Sequence, residues 1–200
     1  MNKKTVALTE TEYINIINTI KQGFKYYDAA ADKQRTFRPN KQLSLILQLE
    51  ANLGLRIGDI LKLHIADIVK DGERYRLDII EQKTSKKRTF TVPIEVYNMI
   101  MEYALEKGIT KNDNIFSIKE RAVQKQLKIV CEYLNLENIS THSFRKTYAT
   151  DIYNNSNYNI ELVRKLLQHS NTATTQRYIG IGNKQIEEAL QGVTSRYLIG

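Results

Sequence analysis

Four short segments of this 200-residue chain carry residue types that could act on a phosphate group. In Gly54-Leu55-Arg56-Ile57-Gly58-Asp59-Ile60, Arg56 falls where a short helix is predicted to start. Its guanidinium and the helix N-terminus could face one anion together. Asp59 lies three residues on, on the same face, placed to hold that guanidinium. A plain surface Arg–Asp pair is the other reading of these residues. Lys83, Lys86, Lys87 and Arg88 crowd a predicted hairpin tip, and cations on a turn suit a phosphate backbone. A solvated hairpin end protected by lysine accounts for them equally well. In His142-Ser143-Phe144-Arg145, the histidine and arginine stand at helical i, i+3 spacing and would face one phosphate, with Phe144 toward the core. Two exposed polar residues on a helix are the alternative. In Leu166–Tyr178, His169 precedes a Ser/Thr-rich turn, and Tyr178 follows it by nine residues. The chain holds twelve tyrosines, so a half-buried structural tyrosine is a reading that competes with a nucleophile.

The whole-chain charge agrees with a polyanion. Thirty Lys+Arg against 22 Asp+Glu give +8, which favours nucleic acid, although a solubility charge would look the same. Hydrophobic residues at 42% and charged residues at 26% exclude a disordered chain. No apolar run approaches the length that spans a bilayer, and Met-Asn-Lys-Lys leads into no secretory apolar region. A single cysteine and three histidines argue against a disulfide framework or a metal site. A cytoplasmic chain without a multi-cysteine or histidine-rich metal site is therefore expected.

These residues need positioning elements, and the periodicity supplies them. Two prolines and nine glycines argue for a helix-rich chain. Thr9-Glu10-Thr11-Glu12 is a capping box, with Leu8 and Tyr13 placed as a hydrophobic staple. Residues 25–41, with Lys33, Arg35, Arg38 and Lys41, read as a basic connecting loop. A buried helix runs from about Asn40 to Asn52 with Gly54 as its stop, and a short one from about Ile57 to Leu63. Residues 65–93 then alternate at period two, with Asp71-Gly72 as a turn and Lys83–Arg88 as a tip, giving about three antiparallel strands. From Pro93 onward the pattern is helical again. Val123, Leu127, Val130, Cys131 and Leu134 form one stripe, so Cys131 reads as packing; Ile160, Val163, Leu166 and Leu167 form another. Ile186, Ala189 and Leu190 form a third. The fold class expected is mainly α with a small three-stranded antiparallel sheet, in one domain over 1–200.

Taken in order, Arg56, Lys83, His142-x-x-Arg145, His169 and Tyr178 resemble the catalytic domain of the tyrosine recombinases, the phage-integrase family. The resemblance covers about Leu8 to about Leu190. Its most specific stretch is Leu166-Leu167-Gln168-His169 through Thr174-Thr175 to Tyr178, where the family usually has Leu-Gly-His and here Gln168 replaces the glycine. The resemblance implies site-specific DNA recombination without metal, ATP or other cofactor. Arg56 and Arg145 would clamp the phosphate, supported by Asp59, since guanidinium geometry matches two phosphate oxygens. Tyr178 would attack, His142 would act as base, His169 would donate a hydrogen bond to the phosphate, and Lys83 would protonate the departing 5′-hydroxyl. Lys86, Lys87, Arg88, Arg35 and Arg38 are the further DNA contacts expected.

Partners implied are double-stranded DNA, a homo-tetramer on DNA formed from monomers in solution, and accessory DNA-bending proteins. Most family members carry an N-terminal helical DNA clamp. A catalytic unit starting at about Leu8 implies the small stand-alone type, similar to fimbrial phase-switch invertases. Met1 fits a natural short protein and a cloned domain alike. Residues 181–200 would dock on a neighbouring protomer or pack within their own chain. Two other activities share these features: DNA relaxation of the type IB topoisomerase kind, and a non-catalytic DNA-binding regulator on the same fold.

Overall fold

The structure is a computed structural model, and it describes residues 5–81, 83, 85 and 87–179. Backbone contacts divide the chain into two compact units, residues 1–148 and 149–200.

In the first unit, helix α1 (Glu10–Gln22) starts as its sequence dictates. The Thr9 hydroxyl accepts the Glu12 N–H, and the Glu12 carboxylate accepts the Thr9 N–H. Ile16, Ile17 and Ile20 face the core, which Leu8 and Tyr13 join. The expected loop at 25–41 is instead a hairpin, β1 (Phe24–Asp28) against β2 (Lys33–Phe37). Its basic residues hide an alternation whose inward side is aromatic: Phe24 stacks on Phe37 with ring centroids 5.0 Å apart. Tyr133 also stacks on Phe24, with ring centroids 4.0 Å apart. A two-stranded ribbon is marginal alone, and this packing is what holds it.

Helix α2 (Lys41–Leu53) is capped by Asn40, whose side chain accepts the Leu43 N–H at 2.9 Å. It is buried around most of its circumference, as Leu43, Leu45, Ile46, Leu47 and Leu49 require. It ends at Gly54, which takes the left-handed conformation with φ +57°. A Cβ there would also lie 2.3 Å from the Tyr148 ring. Helix α3 (Ile57–Ile60) is one turn, shorter than the expected 57–63.

The three-stranded sheet follows, in the order β3 (Ile68–Asp71), β4 (Arg74–Ile80), β5 (Lys87–Val92), all antiparallel. Leu77 of β4 and Val92 of β5 anchor it to the core. Helices α4 (Ile94–Lys107) and α5 (Glu120–Tyr133) complete the unit. Val123, Leu127, Val130 and Cys131 of α5 are buried as their spacing predicts. Burial, followed by Glu132 and Glu12, pushes the Cys131 thiol up to about 11, which fits a packing residue and not a thiolate.

Helix α6 (Thr141–Asn155) carries the chain from the first unit into the second. The second unit adds α7 (Ile160–Leu167) and α8 (Thr172–Ile179). Asn159 caps α7 by accepting the Leu162 N–H at 2.9 Å, and Val163 and Leu167 are buried. Gln168 ends α7 in the left-handed conformation, φ +56°. The 181–200 segment with Ile186, Ala189 and Leu190, and Lys86 of the hairpin tip, lie outside the described residues. Among the described residues, no helix is long and apolar enough to cross a membrane.

Candidate active site

The first unit builds its polar centre on the end of α2. The last carbonyls of a helix have no partner within it and carry the negative end of its dipole. Here they are taken up by two buried arginines. Arg88, from β5, donates to the Leu53 carbonyl at 3.0 Å and to the Gly54 carbonyl at 3.2 Å. Arg145, from α6 and 2% exposed, also donates to the Gly54 carbonyl. One backbone oxygen therefore ties the sheet and α6 to the α2 terminus.

A buried carboxylate extends the cluster. Glu81, fully buried just after β4, accepts from Arg88 at 3.1 Å through one oxygen and from Arg56 at 2.5 Å through the other. Arg56 is the N-cap residue of α3, with a side chain 19% exposed. Desolvation lowers the pKa of Arg88, and the Glu81 charge opposes that shift. Tyr148 lies near both Arg88 and Arg145; burial raises its hydroxyl pKa and the two cations pull it back.

Asp59, expected to hold Arg56, is buried within the same single turn, and Glu81 holds the Arg56 guanidinium. One expectation is corrected here. Arg88 was expected to reach DNA, but it is 4% exposed with its guanidinium on Glu81 and two carbonyls, so it is an internal strut. In strand β5 the inward side of the period-two alternation claims it.

His142 is exposed on α6, and its ring lies in a positive field. Partial desolvation, then Arg145, lower its pKa; Glu120 opposes them, and Lys83 and Arg56 add smaller downward pushes. Arg56, Lys83, His142 and Arg145 are thus electrostatic neighbours within the first unit. Lys83 and Lys87 are exposed at the hairpin tip. Arg38 is exposed after β2, and Arg35 on β2 pairs with Asp28 at 2.7 Å.

In the second unit, His169 and Tyr178 come together. Their rings meet edge to face with centroids 5.3 Å apart. His169 Nδ1 is hydrogen-bonded to the hydroxyl of buried Thr175 at 3.0 Å. Arg164 fixes the backbone beside it, accepting the His169 N–H and donating to the His169 carbonyl at 2.9 Å. Tyr178 is half-buried.

The residues missed from sequence are Glu81, Tyr148 and the carbonyl of Gly54. Glu81 left a signal, as the sole acid between Ile79 and Val92 in a strongly basic segment. A backbone carbonyl leaves none.

The model of the phage integrase family matches residues 7–184, and the chain belongs to that family. A tyrosine recombinase XerC of Caldanaerobacter subterraneus is 29% identical over 196 residues, covering 92% of this chain and 50% of the relative. A probable integrase/recombinase, YoeC of Bacillus subtilis, is 32% identical over 156 residues, covering 74% of this chain and 83% of the relative. Among solved structures, a XerH site-specific recombinase in a post-cleavage complex with its difH substrate matches with TM-score 0.69 and 20% identity. That match covers 94% of this chain and 53% of the XerH chain. The catalytic domain of bacteriophage HP1 integrase matches with TM-score 0.63 and 18% identity, covering 94% of this chain and 95% of that one. The chain thus spans about half the length of the XerC and XerH proteins. These structural likenesses place the three-stranded sheet and the helices around it in the tyrosine recombinase catalytic fold.

Proposed function

We propose that the protein is a site-specific DNA recombinase that cuts and rejoins DNA through a 3′-phosphotyrosine intermediate. The observation that carries this reading is the linked cluster Arg56–Glu81–Arg88–Gly54 carbonyl–Arg145, with His142 and Lys83 beside it. A phosphodiester repels nucleophiles by its charge, and two arginines fixed before the substrate arrives stabilise the charge that develops on its oxygens. Glu81 and the helix end fix them here without a loop having to close.

The Tyr178 oxygen attacks the scissile phosphorus and forms a new P–O bond. The bond to the 5′-oxygen breaks, and Lys83 supplies the proton that the departing oxygen needs. His142, whose depressed pKa keeps it neutral at physiological pH, takes the tyrosine proton. His169, oriented by Thr175, donates to the phosphate through its other ring nitrogen. A second 5′-hydroxyl reverses the steps, so the phosphoester energy is conserved and neither ATP nor metal enters. Lys87 and Arg38 are the surface cations we assign to the flanking phosphates, with Arg35 partly neutralised by Asp28. The substrate is double-stranded DNA, and strand exchange between two duplexes takes four copies, each supplying one tyrosine. We place the protein in the cytoplasm, where that DNA lies.

The test is a pool of nicked duplexes, built so that the cleaved strand loses its short end. An SDS-resistant protein–DNA adduct, formed without metal and mapped to Tyr178 by peptide mass, supports the reading. Supercoil relaxation without recombinants would replace it with a topoisomerase. DNA binding without any adduct would replace it with a regulator.

A further inference from the structure

Glu50 belongs to α2, one helical turn before Gly54. Its backbone carbonyl accepts the Gly54 N–H at 3.1 Å, and the Gly54 carbonyl is the atom that Arg88 and Arg145 share. The side chain is fully buried, and among the described residues neither carboxyl oxygen has a hydrogen-bond partner. Two charged groups face it from the packed elements: Arg145 on α6, which favours the anion, and Glu120 at the start of α5, which opposes it. Burial outweighs both and holds the carboxyl well above the usual carboxylate range.

A neutral acid beside a buried guanidinium stabilises it through its dipole without cancelling its charge. An ionised acid there would pair with Arg145 and compete with any phosphate. A leucine would pack as well and offer neither.

We propose that Glu50 is a positioning residue for Arg145, a fully buried carboxyl group, without a hydrogen-bond partner of its own among the described residues, that steadies the guanidinium from inside the core and leaves its charge for a DNA phosphate. This rests on the assignment of Arg145 to phosphate binding made above. Glu50→Gln copies the neutral acid and cannot ionise. Glu50→Leu keeps the bulk and removes the dipole.

The experiment measures duplex affinity and single-turnover adduct formation for the full chain and both variants, from about pH 6 to about pH 10. Other groups titrate alike in the Gln variant and the wild type, so the ratio of the two isolates Glu50. The ratio is expected to rise toward alkaline pH, as wild-type Glu50 ionises and neutralises Arg145. The Leu variant is expected to melt higher, since a buried unpaired acid is gone, yet to lose cleavage by roughly 10- to 100-fold. A merely structural role would move stability and cleavage in the same direction. A flat Gln-to-wild-type ratio in both readouts, or a fully active Leu variant, overturns the proposal. If the wild type forms no adduct at any pH but its affinity still shows the Gln-dependent alkaline loss, the recombinase reading falls and Glu50 keeps its role. A wild type that neither binds nor cleaves overturns both.

Discussion

Each proposed role has a substitution that isolates it. Tyr178→Phe removes only a hydroxyl, so covalent capture should vanish while duplex affinity stays nearly unchanged; an adduct formed by this variant would mean a different nucleophile, with Tyr148 beside the arginines the first to examine. Arg145→Ala should slow single-turnover cleavage by about 100- to 1,000-fold, the usual loss for one positioned transition-state donor. The pH profile tests His142. Its pKa lies below the ordinary histidine value because of desolvation and then Arg145. The neutral base therefore persists to lower pH than a free imidazole would. The acid limb of the cleavage rate should fall below about pH 6.5 and disappear in His142→Gln. His142 and Arg145 were readable as a pair from their i, i+3 spacing on α6, whereas Arg56, His169 and Tyr178 entered through the order of residue types that carries the family resemblance. Arg88 misled for a different reason: a run of cations does not show which of them the strand alternation turns inward. Glu81, 25 residues from Arg56, pairs with it in space, which sequence distance does not reveal.

Among the elements, helices with clear caps were legible almost to the residue, as Thr9 and Asn40 show. The β1–β2 hairpin was not, because its charged outer side dominates composition while Phe24, Tyr26 and Phe37 do the packing. Two substitutions test the caps and struts. Gln168 pays for a left-handed backbone in which glycine is at ease, so Gln168→Gly should raise stability by about 0.5–1 kcal/mol in chemical denaturation. Glu81→Ala leaves Arg88 buried without its counter-charge, and a loss of about 3–5 kcal/mol is expected in the same measurement. Retention of wild-type stability would show that the carbonyls of Leu53 and Gly54 suffice for Arg88.

Across the whole molecule, a charge of +8 predicts that affinity for the proposed DNA substrate falls as salt rises. The structure sorts the cations that contribute. Lys87→Ala and Arg38→Ala should each lower the salt slope by about one, because each removes one phosphate contact. Arg88→Ala should lower stability and leave that slope alone. A slope change with Arg88→Ala would return it to the surface set. Net charge was enough to point toward a polyanion, but it does not tell a cation available to a phosphate from one that holds the fold; that takes the place and partners of each side chain, as Arg88 on Glu81 and two carbonyls shows.

The shared carbonyl of Gly54 also makes α2 a ruler. From the Asn40 cap to Gly54, the count of residues sets both how far that oxygen lies along the axis and the direction in which it points. One inserted residue would advance it by about 1.5 Å and swing it by about 100°. Neither Arg88 nor Arg145 could follow from a separate element. Insertions should therefore be tolerated at the Gly72 turn, where a Cβ meets nothing, and rejected inside α2 even at positions far from any reacting atom.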